Sequence, residues 1–110
     1  MLVVEDDQSL RLLCRLTLEF EDFQVREART ADEAREAVAE EEPDVVLLDV
    51  NLGGRSSDGL LDDLRAAGIP VVVVTGSSDV ERYRDRADAV LPKPFEPSEL
   101  VDVARRHGVR

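Results

Sequence analysis

The chain has 110 residues, 43% of them hydrophobic and 35% charged, which reads as one globular, soluble domain and not as a disordered or multidomain chain. Lys+Arg 14 against Asp+Glu 25 leaves a net charge of −11, which repels nucleic-acid backbones and anionic membranes and favours divalent cations and basic partner surfaces. The longest apolar runs, Val45–Leu48 and Ile69–Val74, are too short for a membrane span, no signal peptide opens the chain, and the single cysteine, Cys14, excludes an intrachain disulfide. The cytoplasm is therefore the expected compartment, with neither nucleic acid nor membrane as a direct partner.

In chain order, Leu2-Val3-Val4 predicts a short buried strand that runs into Glu5-Asp6-Asp7, and Met1 falls within it, which points to a trimmed start. Leu10, Leu13, Cys14 and Thr17 recur at helical spacing, with Phe20 beyond, and predict a helix over 8–20. Phe23–Ala28 is β-like. Thr30-Ala31-Asp32-Glu33 is a capping box; it opens a second helix that carries Ala34, Ala37 and Val38 and fades in Glu40-Glu41-Glu42 before Pro43. Val45–Leu48 does not alternate, which suits a parallel strand covered on both faces. Gly53-Gly54-Arg55-Ser56-Ser57 reads as a loop. A third helix begins near Asp58 and stops at Gly68, and Pro70–Thr75 is a fourth buried strand. Ser78–Arg86 is a short polar helix or turn with few apolar anchors, at the low-stability end of the fold. Ala89–Leu91 is a brief fifth strand, and Pro97 opens a last helix to about His107 with Gly108 as its terminator.

Strands that alternate with helices imply parallel βαβ units and an α/β, doubly wound three-layer sandwich. In such folds ligands sit outside the carboxyl ends of the strands. The unusual polar residues fall there: Glu5-Asp6-Asp7 after the first strand, Asp49 after the third, Thr75 after the fourth and Lys93-Pro94 after the fifth. Converging carboxylates repel, by about 4 kcal/mol for two unit charges 4 Å apart at an effective dielectric near 20. A hard divalent cation with oxygen ligands relieves that repulsion. The competing reading, that acids after a strand cap the next helix, suits Asp7, which directly precedes a helix, and suits Asp49 poorly. Lys93 is the only lysine. It stands between Pro92 and Pro94, a restricted turn that admits a cis Lys93–Pro94 bond.

These segments together resemble the response-regulator receiver domain of two-component signalling. The matching pieces are Val3-Val4-Glu5-Asp6-Asp7, Pro43–Asp49, Val71–Val74 with Thr75-Gly76, and Leu91-Pro92-Lys93-Pro94-Phe95, in the family's order. The resemblance implies a flavodoxin-like (βα)5 sandwich with a five-stranded parallel sheet, filling residues 1–110 as one receiver domain with no output domain. It implies Asp49 as phosphoacceptor and a Mg²⁺ site made of Glu5, Asp6, Asp49 and the backbone carbonyl of Asn51. Thr75 and Lys93 are then the groups that contact the phosphoryl group. The implied partners are a sensor histidine kinase or histidine phosphotransfer protein, and a downstream protein on the face of the fourth helix, fifth strand and fifth helix. Such a domain catalyses its own phosphorylation and dephosphorylation and is not a turnover enzyme.

Three departures stand out. Val90 occupies the position where many receivers carry a tyrosine or phenylalanine. The stretch from Thr75 to Lys93 is about one helical turn short, and the loop after Asp49 is longer than usual and lacks its proline. Two other readings compete. One is a haloacid-dehalogenase-like phosphatase, which also uses an aspartyl nucleophile, Thr, Lys and Mg²⁺ but places its nucleophile on the first strand. The other is a non-phosphorylated pseudo-receiver scaffold, which has no need of the full residue set.

Overall fold

The computed structural model describes residues 1–107. The expected terminator, Gly108, lies outside them. The elements are β1 (Leu2–Val4), α1 (Gln8–Phe20), β2 (Arg26–Ala28), α2 (Ala31–Glu40), β3 (Val46–Asp49), β4 (Asn51–Leu52), β5 (Arg55–Ser56), α3 (Asp58–Ala66), β6 (Val71–Gly76), a 3₁₀ turn (Ser77–Asp79), α4 (Val80–Tyr83), β7 (Ala89–Lys93) and α5 (Pro97–His107). The main sheet is five-stranded and all parallel, in the order β2-β1-β3-β6-β7.

The unalternating strands are explained by two separate cores. Leu2, Val4, Val46, Leu48, Val71 and Val73 face α2, α3 and α4, where Ala34, Leu60, Leu61, Leu64 and Tyr83 cover them. Val3, Leu47, Val72 and Val74 face the other way, against Cys14 and Leu18 of α1 and Leu100, Val103 and Ala104 of α5. Successive side chains of a strand point to opposite faces, so a strand buried on both must be apolar at every position. The chain thus folds as a three-layer α/β sandwich of the flavodoxin-like kind.

Helix ends follow the sequence closely. Asp7 caps α1 by accepting from the N–H groups of Ser9 and Leu10 at 2.9 and 3.2 Å. Thr30 caps α2 through Glu33 N–H at 3.1 Å. The reciprocal half of the box is displaced by one residue, because Glu33 accepts from the N–H of Arg29 at 2.9 Å and also pairs with its guanidinium.

Some boundaries differ. β2 starts at Arg26, not Phe23, because Phe23 turns into the core beside α1. β7 extends past Leu91 to Lys93, pairing Pro92 with Thr75 and Lys93 with Gly76. Met1 precedes β1, and its ammonium donates to the carbonyl of Gln24 at 2.8 Å. The segment read as a loop after Asp49 is an antiparallel hairpin, β4–β5, turning through Gly53 and Gly54 at φ 60° and 80°. Positive φ at both central residues defines the hairpin turn whose twist matches its strands, and glycine adopts it without strain.

The region from Thr75 to Lys93 is shortened as expected: α4 is a single turn of four residues behind a 3₁₀ turn. It is better anchored than its polarity suggests, since Tyr83 is 3% exposed within the core.

The two cores yield a test by paired truncation. Leu61 is fully buried and Leu16 is 53% exposed. Leu61→Ala should cost about 2–5 kcal/mol in urea denaturation, and Leu16→Ala about 0.5 kcal/mol or less.

Candidate functional site

In the sheet order β2-β1-β3-β6-β7, the chain leaves β1 toward one edge and β3 toward the other. A crevice opens at that reversal, beyond the carboxyl ends of β1 and β3. Glu5 and Asp6 follow β1 directly and Asp49 ends β3. One carboxylate oxygen from each lies within 4.8 Å of the others. Lys93 reaches in from the end of β7, with Nζ 3.1 Å from Asp49 Oδ2 and 3.8 Å from Glu5 Oε1. Thr75 stands at the end of β6, between Asp49's strand and Lys93's. The structure therefore brings Glu5, Asp6, Asp49, Thr75 and Lys93 to the carboxyl end of the sheet.

Burial separates these groups. Glu5, Asp49, Ser57 and Thr75 are the buried polar residues among those described, each 5% exposed or less, and Asp6 is exposed. Each oxygen of Asp49 has its own donor. The Asn51 N–H reaches Oδ1 at 3.0 Å and Lys93 reaches Oδ2 at 3.1 Å. Glu5 Oε2 accepts from the Asp7 N–H at 3.0 Å. Thr75 Oγ1 is buried and has no hydrogen-bond partner. An unpaired buried hydroxyl costs about 1–3 kcal/mol unless a further group meets it.

The electrostatics follow from this crowding. Burial, with Asp49 alongside, pushes the Glu5 carboxyl up to about 7, against the opposing pull of the Asp7 N–H and Lys93. Burial alone lowers a lysine, yet the bond to Asp49 and the charges of Asp49, Glu5 and Asp6 outweigh it and hold Lys93 above its ordinary value. The donors that converge are all oxygen, hard and negatively charged. This set fits a hard dication such as Mg²⁺, which takes one or two carboxylates and keeps several waters.

The hairpin β4–β5 supplies further positioning. Asn51 pairs with Ser56, and Ser57 N–H donates to the Val50 carbonyl at 2.8 Å. The hydrogen-bonded pairs alternate along such a ladder, so Asn51 exchanges no bond with Ser56. Its N–H and carbonyl both point away from β5, on the side where the N–H meets Asp49.

Two residues here escaped sequence reasoning. Ser57 Oγ donates to the Asp49 carbonyl at 2.7 Å and makes no cap bond to α3. A serine before a helix reads as an ordinary cap, so no signal marked it. Tyr83 donates to Asp58 Oδ1 at 2.7 Å. Its signal was available: it is the only tyrosine, set in a polar stretch. Burial raises the Asp58 carboxyl, but bonds from Tyr83, Arg86 and Ser56 outweigh it and bring it down to about 2.

Comparison with known proteins gives a consistent result. Residues 1–105 match the family described as response regulator receiver domain. The DNA-binding response regulator MtrA of Mycolicibacterium paratuberculosis is 38% identical over 106 residues, covering 92% of this chain and 47% of that protein. The transcriptional regulatory protein GltR of Pseudomonas aeruginosa is 36% identical over 109 residues, covering 92% and 45%. The chain thus spans about half the length of the curated relatives it matches. Among solved structures, the receiver domain of NtrX from Brucella abortus superposes with a TM-score of 0.89 at 32% identity, covering 96% of this chain and 95% of that one.

The raised Glu5 carboxyl sets a pH dependence. Its folded-state value lies near 7, above its ordinary 4.5, so its favourable contribution is full below 4.5 and is lost as pH rises through 7. Thermal melts without divalent cations should show stability falling over that window, and Glu5→Gln should flatten the fall. An unchanged slope in Glu5→Gln would remove Glu5 as its source.

Proposed function

The chain belongs to the response regulator receiver family, and we propose that it works as a phosphorylatable switch, with Asp49 accepting a phosphoryl group in a Mg²⁺-dependent reaction. The observation that carries this reading is the buried Asp49 carboxylate, held between Asn51 N–H and Lys93 Nζ beside two further carboxylates and an unpartnered Thr75 hydroxyl. A structural acid needs no such surroundings. The family match also sets aside the phosphatase alternative, with Asp49 on β3 and not on the first strand.

Glu5, Asp6, Asp49 and the Asn51 carbonyl would hold the ion, which when bound would neutralise charge on the phosphoryl oxygens. An Asp49 oxygen attacks phosphorus in line; the O–P bond forms as the P–N bond to a donor imidazole breaks. Lys93 then exchanges its bond to Asp49 for one to a phosphoryl oxygen. Thr75 Oγ1 donates to another, gaining the partner it lacks. Water later attacks phosphorus and returns the free carboxylate. The domain therefore promotes its own phosphorylation and dephosphorylation and is not a turnover enzyme.

A sensor histidine kinase or histidine phosphotransfer protein is the proposed donor. A protein donor finds apolar surface along α1, the helix that leaves the site. Leu12, Leu13, Leu16 and Phe20 are the exposed large hydrophobic residues among those described, and all lie on α1, which starts just after Glu5-Asp6. The downstream partner is assigned to the α4–β7–α5 face. With a charge of −11, the domain itself does not bind nucleic acid or membrane, and no described helix is long and apolar enough to cross a membrane. We place it in the cytoplasm, with residues 1–110 forming one receiver domain.

Acetyl phosphate with Mg²⁺ should add one phosphoryl group by intact mass, and Asp49→Ala should abolish the gain. A full-yield adduct on the variant, or none on the wild type, would overturn the assignment; the second outcome favours a pseudo-receiver. In divalent titrations Asp6→Asn should weaken Mg²⁺ binding far more than Asp7→Asn, since the Asp7 carboxylate is engaged in capping α1. Equal losses would contradict that division.

A further inference from the structure

Val90 has no ring to swing, yet the structure buries an aromatic nearby. Tyr83 ends the one-turn helix α4, is 3% exposed, and packs in the same core as Val90. Its hydroxyl donates to Asp58 Oδ1 at 2.7 Å, while Asp58 Oδ2 takes Arg82 at 2.8 Å and Arg86 at 3.2 Å. Both guanidinium groups also stand over the Tyr83 ring, 5.4 and 5.5 Å from its centre. Asp58 directly follows Ser57, whose Oγ holds the Asp49 carbonyl at 2.7 Å. Two consecutive residues thus join the acceptor's own peptide to a phenol on α4.

The other end of α4 is tied to the site as well. Thr75 leads through Gly76 and the 3₁₀ turn Ser77–Asp79 directly into Val80. The segment is a short bridge between two anchors, Thr75 and Asp58. We propose that the Asp58–Tyr83 cluster is a latch that holds α4 in its resting position and opens when Asp49 carries a phosphoryl group, so that Tyr83 relays the signal that Val90 cannot.

This inference rests on the receiver reading above. A phosphoryl group on Asp49 gives the Thr75 hydroxyl a partner, and drawing Thr75 inward draws the 3₁₀ turn with it. Four residues of helix deliver that displacement to Tyr83 within one turn. The Tyr83–Asp58 hydrogen bond is short and directional, and it weakens steeply when its two ends move apart. The surrounding arginine pairs are partly exposed, so they contribute little to holding the latch once the phenol leaves.

Tyr83→Phe removes the bond and keeps the ring. The measurements are Mg²⁺-beryllofluoride affinity and hydrogen exchange across 77–88, in the full chain. A bond made only in the resting state opposes binding, so its loss should tighten beryllofluoride binding about five- to tenfold. Exchange in the free variant should approach that of beryllofluoride-bound wild type. Asp58→Asn weakens the same bond from the other side and should shift affinity in the same direction, which keeps the test open if one variant folds poorly. Unchanged affinity in both variants, with exchange raised equally in free and bound states, would make the cluster a plain structural contact and overturn the latch. Wild-type protein that binds no beryllofluoride and takes no phosphoryl group would instead overturn the receiver reading, and the latch with it.

Discussion

The structure turns on one electrostatic problem: three carboxylates and one ammonium held together at the ends of β1, β3 and β7. Two of the acids are nearly buried, so their repulsion is poorly screened by solvent. Lys93 relieves part of it. A proton on Glu5 relieves more, as its elevated carboxyl shows. A dication relieves it more fully still. These three remedies compete for the same oxygens, and the proposed phosphoryl group on Asp49 would change which remedy fits. The proposed switch follows from that competition without any large movement of the sheet.

The frame can bear this repulsion because the stabilising contacts lie elsewhere. The strands are buried on both faces by two independent cores, while the charged groups are confined to the strand ends. Burying a Leu or Val contributes about 1.5–3 kcal/mol, so the core residues of β3 and β6 offset an unfavourable edge. The loops that leave that edge are therefore free to be shaped by the site. The hairpin after Asp49 uses this freedom: it turns Asn51 N–H and Ser57 Oγ toward Asp49 from its two ends.

Most of the fold was legible because its signals are local. Apolar runs located the strands, Asp7 and Thr30 marked helix starts, and the order of elements determined the winding. The polar residues at strand ends then predicted which side chains would meet. What escaped depends on contacts distant in sequence. Nothing near Ser57 indicates that it turns away from its helix toward Asp49. Nothing near Tyr83 names Asp58, 25 residues earlier, as its partner. The hairpin was different: two glycines between Leu52 and Arg55 are a turn signal, yet strands of two residues each lie below the length at which alternation can be read. Thr75's unmet hydroxyl was equally invisible, since an absent bond has no sequence pattern.

The cation at position 93 is of a different kind from the others in the chain. Lys93 is the only lysine among 14 basic residues, and the arginines serve elsewhere as fixed clamps, as Arg86 does on Asp58 and Asp62. A guanidinium presents a rigid fork that suits a permanent bidentate pair. In the proposed phosphoryl transfer the cation at the site must leave one oxygen and take another. An ammonium on a flexible stem has three equivalent donors and no preferred plane, so it can pass from Asp49 to an incoming phosphoryl oxygen while keeping its approach to Glu5, 3.8 Å away. The difference between clamp and carrier explains why a chain so rich in arginine keeps a lysine where its carboxylates converge.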